Sequence, residues 1–173
     1  MAQLIADIRA DAEYKKFKRI LQTTQERLDF EVIVEEARSL HQSRVVRSLY
    51  GKKAYSPKNV LDASAQEVAN RSRLVELRLR LASELSILEK ALSLAKKYVS
   101  TEYADDLAEF KTRDQRIAFV DRVFRAAIEY HNEGQQVVET LDFLIQDIDK
   151  ASYHISTMKE ILSLLTEKRG RVN

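Results

Sequence analysis

The chain has no cysteine and no tryptophan, a single proline, Pro57, and three glycines in 173 residues. Without cysteine there is no disulfide framework, no thiolate nucleophile and no cysteine-ligated zinc or iron–sulfur site. Three scattered glycines cannot build a phosphate-cradling loop or a dinucleotide turn, which need glycines clustered where backbone meets phosphate. No apolar run approaches the roughly 20 residues needed to cross a bilayer as a helix, so a soluble, non-membrane protein is expected. What these absences leave is long helix: no glycine lies between Gly51 and Gly134. Charged residues make up 32% of the chain, against about a quarter in ordinary globular domains, and so much charge suits the solvated faces of extended helices. The expected fold is all-α, an elongated antiparallel coiled coil or bundle of long amphipathic helices forming one helical domain.

Hydrophobic spacing places the elements. Tyr14, Phe17, Leu21, Thr24 and Leu28 step 3-4-3-4, and Phe30, Ile33, Ala37 and Leu40 resume after a phase slip, which predicts a helix or helix pair over residues 1–50. Thr23-Thr24-Gln25-Glu26 matches a capping box and offers a break near Thr23. A hairpin loop is expected at 51–57, where Gly51 can end one helix and Ser56-Pro57 can start the next; Ser64-Ala65-Gln66-Glu67 is an alternative start. The helix over 58–110 carries a heptad-like seam, Leu74, Leu77, Leu81, Leu85, Leu88, Leu92, Ala95 and Val99. Thr112-Arg113-Asp114-Gln115 caps a last helix over 112–168, with Ile117, Val120, Phe124, Ala127, His131, Gly134, Val138, Leu141, Ile145, Ile148, Ile155, Met158, Leu162 and Leu165 on its seam. Gly134 within that stripe marks a close helix crossing or a kink. Seams this long bury themselves by folding back or by pairing with another copy, so a homo-oligomer is expected.

Catalytic and metal chemistry finds little to work with. His41, His131 and His154 include no pair at the i, i+4 spacing that puts two imidazoles on one metal. Glu129-Tyr130-His131 is one residue short of the Glu-x-x-His of di-iron bundles, which sends its two side chains to different faces. Glu102, Asp105, Asp106 and Glu109 share one helical face, and such carboxylates can hold a hard cation, but a solvated acidic face is by far the better explanation, because ligands for such cations usually converge from a loop or from several elements. No cofactor and no enzymatic activity are expected.

Charge is unevenly distributed. From Arg38 to Arg80 ten lysines and arginines face Asp62, Glu67 and Glu76, a net +7, whereas from Ser100 to Asp149 twelve carboxylates face five basic residues, a net −7. The two segments either neutralise each other or leave the basic one for an external polyanion. Around the predicted hairpin Arg44, Arg47, Lys52, Lys53 and Lys58 can neutralise phosphates, and Tyr50 and Tyr55 offer rings on which unpaired bases stack. Arg71 and Arg73, with Arg78 and Arg80, extend the positive charge along the following helix. A solvated loop tip or contact with an acidic protein are the competing explanations.

The turn Leu49-Tyr50-Gly51-Lys52-Lys53 between long helices, with Leu141-Asp142-Phe143 in the last helix, resembles the small helical recombination mediators of tailed phages, the UvsY type. That resemblance implies a cytoplasmic homo-oligomer, in the host cytoplasm if phage-encoded, that binds single-stranded DNA, engages the single-strand-binding protein and loads a RecA-like recombinase. Only Tyr50, Gly51, Lys52 and Lys53 match the mediators' turn. The expected function is thus a non-enzymatic single-stranded DNA-binding accessory of recombination or replication. The alternative is a structural or adaptor coiled coil, in virion assembly or in inhibition of a host factor, that binds no nucleic acid.

Overall fold

The computed structural model describes residues 2–49 and 56–170, with backbone alone at Ala2, Arg47, Ser48, Arg169 and Gly170. Its regular structure is entirely helical among the described residues: α1 Ala2–Ala10, α2 Ala12–Arg27, α3 Phe30–Gln42, a 3₁₀ turn at Val45–Ser48, α4 Pro57–Glu102, α5 Ala104–Leu107, α6 Arg113–Val123 and α7 Arg125–Gly170. The chain forms two compact units, one from Met1–Phe30 with Arg80–Val137, the other from Glu31–Leu79 with Val138–Asn173. The long helices α4 and α7 each contribute to both.

In the first unit Ile8, Phe17, Leu88, Leu92, Val99, Leu107, Phe119, Val120, Val123, Phe124 and Ala127 form a continuous apolar core. Full burial of each larger side chain contributes roughly 1.5–3 kcal/mol, which offsets the ordering of α1, α2 and α6, all short helices. Asp11 fixes the corner between α1 and α2: its carboxylate accepts the Glu13 N–H at 2.7 Å and so caps α2. The same carboxylate accepts the Tyr98 hydroxyl at 3.1 Å and the Tyr103 hydroxyl at 3.3 Å, which ties that corner to the end of α4. Burial, then the bond to Asp11 and its negative charge, pushes the Tyr98 phenol up to about 12. In the second unit Val46, Leu49, Val60, Ala63, Ala151 and Ile155 form a smaller core beneath the 3₁₀ turn, and Leu74, Leu77, Leu141 and Ile148 are buried as well.

The predicted seams are largely the buried faces, but helix ends differ from expectation where a side chain must turn inward. Thr23 and Thr24 lie inside α2, which ends at Arg27 with Leu28 as its C-cap. Leu28 is extended, donates its N–H to the Thr24 carbonyl at 3.0 Å and is buried, so the phase slip before Phe30 is absorbed by closing one helix and opening another. α4 starts at Pro57, where the Ser56 hydroxyl accepts the Asn59 N–H at 3.3 Å, and the second capping candidate is simply helix interior. It ends at Glu102, short of residue 110, and the acidic residues Asp105 and Asp106 fall in the separate short α5. Thr112 and Gln115 do form a capping box, with bonds of 3.2 and 3.3 Å, but the helix they open is α6. Phe124 divides α6 from α7, its ring held edge-on to Phe17 at 5.2 Å. Because α6 begins with its own phase, Phe119, Val120 and Val123 point inward and Ile117 is exposed; Leu165, near the end of α7, is exposed too.

Gly134 lies within α7, which continues through it without interruption. A methyl group added there would sit 2.6 Å and 2.9 Å from the two Leu85 methyls and 3.0 Å from the Phe30 ring, so the glycine serves close packing. Leu85 is fully buried, so its methyl groups can give way only against the surrounding core. For Gly134→Ala the gain in helix propensity, about 1 kcal/mol, is opposed by an overpacking penalty of about 1–3 kcal/mol. A net loss of about 1 kcal/mol is expected in urea unfolding, and in the Gly134→Ala background Leu85→Ala should destabilise less than it does alone. An additive pair would remove the close-packing explanation.

Candidate nucleic-acid interface

Among the described residues, the cations that the sequence offers for phosphate binding are in large part joined to carboxylates of the second unit. Arg44 is buried, its side chain 3% exposed, against Glu67, which is 1% exposed. The Arg44 Nε donates to both Glu67 oxygens at 3.0 Å, its terminal nitrogen lies 2.8 Å from Oε2, and its other terminal nitrogen reaches Asp147. Burial works against the charged guanidinium, but the hydrogen bonds to Glu67 and Asp147 outweigh it, and the Arg44 pKa is raised. His41 Nε2 lies 3.1 Å from the same Asp147 oxygen. Burial alone would raise the Asp147 carboxyl; the bonds from His41 and Arg44 and their charge hold it below the usual carboxylate range.

Neighbouring residues of α4 hold the backbone around Arg44. Gln66 donates to the Ser43 carbonyl at 3.1 Å and accepts the Val45 N–H at 2.6 Å, while Asn70 donates to the Leu40 carbonyl at 3.2 Å. These bonds satisfy groups that the end of α3 leaves open. Further along α4, Arg71 pairs with Asp149 at 2.6 Å, Arg73 bonds to Glu36 and to Glu76 at 2.8 Å, and Arg78 pairs with Asp142 at 3.0 Å. Arg44, Arg71 and Arg78 thus join the net-positive segment to carboxylates of the net-negative one. Lys58 is exposed in the first turn of α4. Tyr50, Lys52, Lys53 and Tyr55, and the side chain of Arg47, lie outside the described residues.

The first unit holds a second arrangement that sequence reasoning missed. A half-open groove of about 510 Å³ is lined by Ile5 and Arg9 of α1, Tyr14, Phe17, Lys18 and Leu21 of α2, and residues 122–127 with Glu129 around the α6–α7 junction. Its floor is aromatic: Tyr14 packs on Phe124 with ring centroids 5.6 Å apart, and Phe17 meets Phe124 at 84°. Tyr14 is half-buried and lines the groove. Arg9, Lys18 and Arg122 stand exposed on the rim, and none of the three has an ion-pair partner among the described residues. Arg125 is the exception, paired with Glu129 at 2.7 Å. The groove brings together residues about a hundred positions apart, and its one local trace in the sequence is the basic residues beside two aromatic seam positions, Lys18 next to Phe17 and Arg122 two before Phe124.

Among the described residues no group of three or more histidines and carboxylates is placed to hold a metal ion, and no helix is long and apolar enough to cross a membrane. Comparison with protein-family models, curated proteins and solved structures returned no match.

Two outcomes follow from the buried pair. Arg44→Met leaves Glu67 as an unpaired buried charge and should cost about 3–5 kcal/mol in urea unfolding, whereas Arg44→Met with Glu67→Leu should recover most of that loss. Asp147 has a lowered folded pKa, so its contribution is complete above the unfolded value of about 3.9 and disappears as pH falls through the folded one. Asp147→Asn should therefore be less stable than the parent at pH 7, with the difference closing below about pH 4; a constant difference across that range would mean that the charge is not what matters.

Proposed function

We propose that this chain is a non-enzymatic helical protein that holds single-stranded DNA as an accessory of recombination or replication, with the groove of the first unit as its main contact. The carrying observation is the coincidence of three cations without an ion-pair partner among the described residues, Arg9, Lys18 and Arg122, with an aromatic floor that includes the half-buried Tyr14. Phosphates meet the rim and a base lies against the ring, a combination that tolerates any sequence because every base has a flat face. The turn Tyr50-Gly51-Lys52-Lys53 supplies a second contact, and its resemblance to UvsY-type mediators is the reason for assigning the activity to recombination, with a RecA-like recombinase and a single-strand-binding protein as partners.

The structural or adaptor alternative draws on the other observation in hand. Arg71, Arg73 and Arg78 are each bonded to carboxylates of their own unit, which leaves the arginine row of α4 a role in joining helices. One titration separates the two. A fluorescent oligothymidylate is added to the full chain at low and at physiological salt, with the groove variant Arg9→Gln/Lys18→Gln/Arg122→Gln and the turn variant Lys52→Ala/Lys53→Ala alongside. Three phosphate contacts on a single strand correspond to an affinity loss of roughly 20-fold between 50 and 200 mM salt, and the groove variant should lose both most of the affinity and most of that salt dependence. Loss confined to the turn variant would move the interface to the loop. No binding at low salt would eliminate the nucleic-acid proposal and leave the adaptor.

A further inference from the structure

The buried seam of α4 is not its only heptad stripe. On the outward side of the helix Leu61, Ala65, Val68, Ser72, Val75 and Leu79 step 4-3-4-3-4 and include no charged residue. Within the second unit Leu61, Val68 and Leu79 are 59, 60 and 56% exposed. At 100° per residue this stripe lies roughly opposite Ala63, Glu67, Asn70, Leu74 and Leu77, the residues that α4 turns inward. It runs for about 27 Å, five turns, and among the described residues Leu61, Ala65, Val68, Ser72 and Leu79 are exposed and Val75 is half-buried. A charge-free heptad stripe on the solvent side of a long helix is what one strand of a coiled coil offers another.

We infer that this face joins two copies of the chain in a parallel, in-register dimer. The flanking charges select the partner and the direction. With Leu61, Val68 and Val75 at the d positions and Ala65, Ser72 and Leu79 at the a positions, Arg71 and Arg78 occupy g, and Asp62 and Glu76 occupy e. Across a parallel pair a g residue meets the partner's e residue five positions on, so Arg71 meets Glu76 of the second copy, and the twofold axis makes the contact twice. An antiparallel pair sets g against g and e against e, which brings arginine to arginine and carboxylate to carboxylate. Both groups keep capacity for the contact. Arg71 uses Nε and one terminal nitrogen on Asp149, and Glu76 uses one oxygen on Arg73, which leaves the other terminal nitrogen and the other oxygen. Small residues at Ala65 and Ser72 let the two helices approach closely. This inference rests on α4 alone and stands whether or not the chain binds DNA.

The absence of cysteine makes the test direct. In a parallel in-register pair each core residue faces its own counterpart, so the single variants Val68→Cys, Ser72→Cys and Leu79→Cys should each form disulfide-linked dimers under mild oxidation. The rate should be several-fold above that of Gln146→Cys, an exposed position on α7. Sedimentation equilibrium of the unmodified chain should give the mass of two chains at micromolar concentration. Cross-linking at one of the three positions only, which is the signature of an antiparallel crossing, would overturn the inference. So would three rates no higher than the Gln146→Cys control, or a mass other than that of two chains. Ser72→Cys changes one small exposed side chain for another of similar size, so the comparison survives any loss of folding in the other two variants.

Discussion

The buried pair of Arg44 with Glu67 is the constraint on which the second unit depends. A carboxylate on the inward face of α4 is tolerable only while a guanidinium saturates it, since desolvation of either charge alone costs several kcal/mol. That requirement fixes where the segment after α3 must run, because Arg44 has to enter the interior from outside any long helix. Gln66 and Asn70 then bind the backbone on either side of it, and the 3₁₀ turn that follows seats Val46 and Leu49 in the core. The small apolar core beneath this turn is thereby given one register instead of several. A purely apolar seam would allow α3 and α4 to slide by a turn at little cost; a buried fork on a buried carboxylate does not.

Charge does a different kind of work elsewhere in the same unit. Arg71, Arg73 and Arg78 lie at the edges of the buried seam and reach sideways to α3 and α7, and all are substantially exposed. Pairs of that kind contribute little stability individually, about 0–1 kcal/mol, and salt weakens them. Their collective effect is on specificity: with opposite net charge on the two segments, α4 meets α7 in the arrangement that brings arginine opposite aspartate. Among the described residues the first unit has two ion pairs between helices, Arg27 with Glu84 and Lys96 with Asp121. There apolar and aromatic packing around Phe124 carries the fold, so Arg9, Lys18 and Arg122 are not needed to hold helices together.

Much of the fold was legible in the sequence because its buried faces are periodic. The leucine seam of α4 and the stripe that runs from Val120 in α6 to Ile155 in α7 can be read by counting threes and fours, and among the described residues the regular structure is all helical. Boundaries were harder wherever tertiary packing overrode a local signal. Thr23-Thr24-Gln25-Glu26 has the residues of a helix start, but Thr24 is buried against the core and the break moved to Leu28, whose side chain had to turn in. Phe124 sits on the predicted seam, and nothing in its neighbours announces that the backbone changes direction there. Glu67 is the clearest case of a hidden role: beside Ser64 it reads as part of a capping box, and only the return of the chain after α3 shows it to be the partner of Arg44. The groove was illegible for a related reason, since its two sides come from segments about a hundred residues apart whose basic residues look locally like ordinary solvated positions.

The threading of the chain between its two units has a kinetic consequence. The first unit is built from the opening thirty residues and a later block, the second from the block between them and the final one, so the two are interleaved along the sequence. During synthesis the N-terminal helices emerge long before the α6–α7 junction that completes their core, and the second unit waits longer still for the last stretch of α7. Each must therefore close a long loop before its apolar surface is covered, which slows folding even though the elements themselves are local helices. No single cut divides this chain into two self-sufficient pieces. Until the last stretch of α7 has been made, a nascent molecule of this design carries exposed amphipathic helix, and in that interval it is a natural client for a chaperone.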